Sequence, residues 1–165
     1  MRTLLSTFAL LSVLALPVAA HADTFDFSAT GSGGGFSGSG TLVASPNGGG
    51  SDTITGISGT DVIALVGPGL FNNNDNLLFP GSSTLVDADG FAFTAFQGDT
   101  DFTVDIFSAG AGVYDAYFVD SDGFSATIPV TFTLTSVATP EPSSLLLMGT
   151  GVLALAAVGR RRLFA

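Results

Sequence analysis

The chain has no cysteine and no tryptophan, and between Asp23 and Thr139 it has no lysine, arginine or histidine. Without cysteine there is no disulfide, no thiol nucleophile and no thiolate metal ligand. Without histidine in that stretch, Ser-His-Asp catalysis and histidine-ligated zinc are excluded there. Without a basic group, a phosphate backbone meets only repulsion, so nucleic acid is not an expected partner. The four basic residues, Arg2, Arg160, Arg161 and Arg162, all sit near the chain ends. The middle carries thirteen aspartates instead. That charge keeps a domain rich in phenylalanine and glycine soluble, and it can attract divalent cations.

The two ends have the composition of targeting segments. Met1-Arg2 gives a positive start, and Leu4 to Leu16 is an apolar run broken only by Ser6, Thr7 and Ser12. Pro17 ends the helix that this run favours, and Ala20-His21-Ala22 places small residues where a signal peptidase reads them. The expectation is a signal peptide over 1–22, cut after Ala22, with Val18-Ala19-Ala20 as the nearby alternative. His21, the one histidine, then leaves with the signal. At the other end come Pro140-Glu141-Pro142, an uncharged stretch of seventeen residues from Ser143 to Gly159, and Arg160-Arg161-Arg162. At about 1.5 Å per residue that stretch is just long enough to cross a thin bilayer as a helix. The arginines are expected on the cytoplasmic side, which leaves 23–139 on the other. The two prolines hold the tripeptide extended and clear of the helix.

In its order and position this tail resembles the PEP-CTERM sorting signal, over about residues 140–162. The resemblance implies Sec-dependent export and a transient inner-membrane anchor with a periplasmic ectodomain. It also implies cleavage near Pro140–Pro142 by an exosortase, a membrane-embedded cysteine transpeptidase-like enzyme of Gram-negative, exopolysaccharide-producing bacteria. The product would be delivered to the cell surface or its matrix. The stretch from Asp52 to Phe93, with Ile54-Thr55-Gly56-Ile57-Ser58-Gly59-Thr60 and Asn74-Asp75-Asn76-Leu77-Leu78-Phe79-Pro80, resembles an ectodomain type that recurs among such proteins.

Residues 23–139 alternate short apolar runs with glycine and asparagine, the pattern of strands and tight turns. Nine strands are expected, near 24–30, 39–44, 51–57, 61–66, 77–79, 91–97, 102–107, 113–119 and 125–136. The fold class is all-β: an antiparallel β-sandwich or partly open barrel, flanked by a signal-peptide helix and a transmembrane helix. Ala126, Ile128, Val130, Phe132 and Leu134 should face the core, and Pro129 suggests an edge strand or a bulge. Most of the thirteen phenylalanines between the ends should be core. The echo of Gly50-Ser51-Asp52-Thr53-Ile54 in Gly59-Thr60-Asp61-Val62-Ile63 suggests a hairpin, with Ile54–Ile57 turning through Ser58-Gly59-Thr60 into Val62–Val66. Gly33-Gly34-Gly35 suggests a hairpin loop, and Asn72–Asn76 a turn with left-handed asparagines.

The only catalytic class left is a carboxylate pair. Asp87/Asp89, Asp99/Asp101 and Asp120/Asp122 are available, but each pair lies beside glycine or serine in a predicted turn, so no enzyme is expected. No cofactor or metal is expected; calcium is the one ion these side chains would suit, with Asp120, Asp122 and Asp75 as the candidate ligands. The expected role is structural or cohesive within an exopolysaccharide matrix. The alternative is a calcium-dependent adhesin that binds carbohydrate or matrix.

Overall fold

The computed structural model describes residues 22–32 and 36–137, together with Gly149, Gly151 and Val152. The signal segment before Ala22, the Gly33–Gly35 loop, the Pro140-Glu141-Pro142 motif and Arg160–Arg162 lie outside the described residues, as does nearly all of the 143–159 span. Among the described residues, no helix is long and apolar enough to cross a membrane.

The ectodomain is all-β. Its strands are β1 (Asp23–Gly31), β2 (Ser37–Gly48), β3 (Ser51–Thr60), β4 (Val62–Leu65), β5 (Leu77–Leu78), β6 (Phe91–Gln97), β7 (Thr100–Gly110), β8 (Val113–Asp120) and β9 (Ser125–Val137). All nine expected strands form, with their ends shifted by a few residues. They make one antiparallel sheet, not the two of a sandwich, in the order β4-β6-β7-β8-β9-β1-β2-β3-β5. The sheet curls into a half-barrel. Irregular register in the β2–β3, β4–β6 and β7–β8 ladders supplies the local twist that lets it curl.

The concave face holds the core. Along β1 the pattern Phe25-Asp26-Phe27-Ser28-Ala29 buries every second side chain. On β9, Val130 and Phe132 are buried, and Ile128 and Leu134 pack against the core, as their alternation requires. Phe27, Phe91, Phe93 and Phe132 form a connected group of rings with centroids 5.8–6.2 Å apart. All nine strands and the core lie between Asp23 and Val137, so this segment is a folding unit in its own right.

Two features differ from the sequence reading. The segment 51–66 is not a hairpin. β3 continues through Ser58-Gly59-Thr60 while paired with β2, and β4 pairs with β6. The reversal falls on Asp61 alone, at φ 66°. One residue therefore carries the chain between strands far apart in the sheet order, drawing the two sides of the sheet together. Period-two alternation shows that a strand exists but not which strand it pairs with.

Pro129 lies in β9, which is an internal strand, paired with β8 and β1. Its carbonyl accepts from the Ser32 amide at 3.0 Å, on the β1 side and just beyond the last β1 ladder pair, Gly31 with Val130. A residue's nitrogen and oxygen point to the same side of a strand, so the missing N–H leaves the β8 ladder intact and forgoes only the reciprocal bond to the Ser32 carbonyl, beyond the end of the β1 ladder. Pro129→Ala should lower stability slightly, by about 0.4–1 kcal/mol, because alanine frees the unfolded chain. Chemical denaturation of residues 23–139 measures it. A gain in stability would mean that the proline blocks a ladder bond.

Candidate functional site

The antiparallel order sorts the connections between two ends of the half-barrel. Thr24 pairs with Val137, so both tails leave at one end. The 48–51 and 110–113 turns and the long 66–90 connection share that end. The opposite end carries Phe36, the Thr60–Val62 corner, the 97–100 turn and the 120–125 turn.

That opposite end opens into a cavity of about 370 Å³, walled by Phe36, Phe93, Phe96, Phe102, Phe118 and Phe124. Asp61 and Asp120 also line it. Phe102 and Phe118 meet edge to face at 5.9 Å, and Phe118 lies 6.2 Å from Phe124. Phe96 is 42 % exposed and Phe124 61 %. Phe36, Phe102 and Phe118 pack against the core, so most phenylalanines serve it as expected, and Phe96 and Phe124 stand outside it. Phe25, Phe27, Phe91, Phe93 and Phe132 are buried, while a second group gathers at the mouth. One signal was available: Phe124 directly follows Asp120-Ser121-Asp122-Gly123, so its ring stands on a turn.

The structure does not bring the calcium candidates together. Asp120 and Asp122 are at the mouth, and Asp75 is at the tail end. Asp120 Oδ1 accepts from the amides of Asp122 and Phe124 at 3.0 and 2.8 Å, closing the turn on itself. Asp75 Oδ1 accepts from the Leu77 amide at 3.0 Å. Among the described residues, no group of three or more acidic or histidine side chains is arranged to hold a metal ion. Asp87 Oδ1 likewise accepts from the amides of Asp89 and Gly90, both at 3.1 Å.

At the tail end the asparagine run builds a cap. Asn72, Asn73 and Asn76 have φ of 49°, 62° and 60°, the left-handed turn that the sequence suggests. Asn74 and Asn76 are buried. The Asn74 amide donates to Asn76 Oδ1 at 2.8 Å, and Asn76 donates to the Val66 carbonyl at 2.8 Å. Their side-chain oxygens accept from the amides of Phe71 and Ala92, so the network is internally satisfied. The same connection folds over the outer face of β7 and β8, where Phe71 stacks on Tyr117 at 5.5 Å.

Beneath that cap is a residue that sequence reasoning missed. Asp105 alternates with Val104 and Ile106, so it points to the outer face, where a carboxylate is normally solvated. Here it is fully buried. Its Oδ2 accepts from Asn72 Nδ2 at 2.8 Å, and its Oδ1 has no partner. Burial pushes its carboxyl up to about 7; the Asn72 bond opposes this, and the charges of Asp75, Asp89 and Asp87 add to it. Burial also raises Asp75, again with Asp87 beside it.

The tail decides what kind of protein this is. A family model described as the PEP-CTERM protein-sorting motif matches residues 138–162. The chain carries a PEP-CTERM protein-sorting motif. The matched residues include Pro140-Glu141-Pro142 and Arg160–Arg162. The PEP-CTERM motif makes this an exported protein, recognised and sorted by an exosortase and held by a C-terminal membrane anchor before processing. Comparison of the chain with curated proteins and with solved structures finds no match.

Proposed function

We propose that the chain is a non-enzymatic surface protein that takes a structural or cohesive place in the exopolysaccharide matrix of a Gram-negative bacterium. In this reading the Sec machinery exports it and residues 1–22 are removed after Ala22. The 143–159 helix then holds it in the inner membrane, with Arg160–Arg162 in the cytoplasm and the 23–139 domain in the periplasm. An exosortase cuts near Pro140–Pro142, and the domain passes to the surface.

The observation that carries the reading is the matched PEP-CTERM motif, with its tripeptide, apolar stretch and arginines in order behind an apolar N-terminal run. The paired tails at one end of the domain support it. A single anchor beyond Val137 leaves the mouth at the far side of the half-barrel, toward the surroundings. Mass spectrometry of protein recovered from the cell surface should find a C-terminus near Pro140–Pro142. A chain intact through Ala165 on the outer surface would overturn the proposal.

A further inference from the structure

The aromatic mouth lies outside the matched sorting motif, at the end of the half-barrel opposite the strand ends that lead to the tails. We propose that it is a binding site for a small organic cation: an apolar body of one or two rings with an ammonium head. The cavity of about 370 Å³ is within the ordinary range of small-molecule sites, about 300–1,000 Å³. Its walls are phenylalanine rings, whose faces attract a cation and whose area shelters an apolar body. The carboxylates of Asp61 and Asp120 add charge of the matching sign. The two amide bonds that Asp120 Oδ1 accepts come from its own turn, and one of them is from Phe124. The Asp120 carboxylate and the Phe124 backbone are thus held in fixed relation before any ligand arrives.

The same residues select against other heads. An anionic head finds no basic partner, because no lysine, arginine or histidine occurs between Asp23 and Thr139. A sugar needs several converging donors and acceptors, and the side-chain hydroxyl donors of the lining are those of Ser37 and Thr60.

Three probes with one naphthyl ring and different heads test this on the 23–139 domain: 2-naphthylmethyl-trimethylammonium, 2-naphthylmethanol and 2-naphthoate. The chain has no tryptophan, so naphthyl fluorescence is read without an indole background. At low ionic strength the ammonium should bind about tenfold more tightly than the alcohol, and the carboxylate most weakly. The Asp61→Asn, Asp120→Asn double variant should keep its affinity for the alcohol and lose most of the preference for the ammonium. Phe124→Ala should weaken ammonium binding without lowering the melting temperature, since that ring is 61 % exposed. Phe96→Ala, on another strand, should repeat the loss. The proposal is overturned if no probe binds or all three bind equally. It is also overturned if the preference survives the double variant, or if both phenylalanine variants bind like the parent.

Discussion

The 23–139 domain should be more stable at pH 5 than at pH 8, and Asp105→Asn should abolish most of that difference. Asp105 is fully buried, with one oxygen bonded to Asn72 and the other without a partner. No basic side chain exists in the domain to neutralise it. Burial therefore favours the protonated acid, and its carboxyl titrates at about 7. In the unfolded chain an aspartate titrates near ~3.9. Between those values the folded state holds a proton that the unfolded state has released. Its contribution to stability is fully present below about pH 4 and is lost as pH rises to about 7. At about 1.4 kcal/mol per pKa unit, the whole effect is on the order of 2–4 kcal/mol.

General relief of repulsion among the thirteen aspartates acts in the same direction. The variant separates the two causes. Asparagine keeps an oxygen for Asn72 and never ionises, so Asp105→Asn should be the more stable protein at pH 8 and should show a nearly flat profile from pH 5 to 8. Denaturant midpoints across that range measure it. An unchanged slope in the variant would mean that Asp105 is not the group responsible.

Asp105 also marks the boundary of what the sequence makes legible. The strand around it is readable, because Phe102, Val104 and Ile106 alternate with polar residues. Its burial is not, since that depends on a cap at Phe71 and Asn72, the latter 33 residues earlier in the chain. The asparagine turn is readable from side-chain chemistry, and its φ values agree. What the turn covers is a tertiary fact. The same division holds elsewhere. The alternation of β9 gives its buried face correctly, yet nothing local says that β9 lies between β8 and β1. Phe96 and Phe124 have the composition of core residues and lie at the mouth instead, because the sheet curls without closing over them. The sorting tail was legible throughout, since a targeting signal is read as a linear segment.

Gly90→Ala should cost far more stability than Gly98→Ala, although both glycines have φ of 65°. An L-residue in that left-handed conformation costs about 1–2 kcal/mol. At Gly98 that is the whole expected loss, because an added Cβ meets nothing within 4 Å. At Gly90 the added Cβ would lie 2.3 Å from the Ile106 carbonyl oxygen, 2.7 Å from Phe107 Cβ and 2.9 Å from Asp105 Oδ1. The first belongs to the β7 backbone and the second sits directly on it, so neither can swing aside. Gly90 itself must move, and it cannot move alone. Its carbonyl accepts from the amides of Asp75 and Asn76 at 3.2 and 2.9 Å, and its own amide donates to Asp87 at 3.1 Å. Displacing it loosens the cap at its base. Overpacking adds about 1–3 kcal/mol to the backbone strain, for a total on the order of 2–5 kcal/mol. A second readout separates this from ordinary core damage. With the cap displaced, Asp105 is opened to water, so Gly90→Ala should also lose the pH dependence between 5 and 8 while Gly98→Ala keeps it. Equal losses in the two variants would show that the cap tolerates a methyl group at its base, and that the close contact between the 87–90 turn and β7 does not hold it in place.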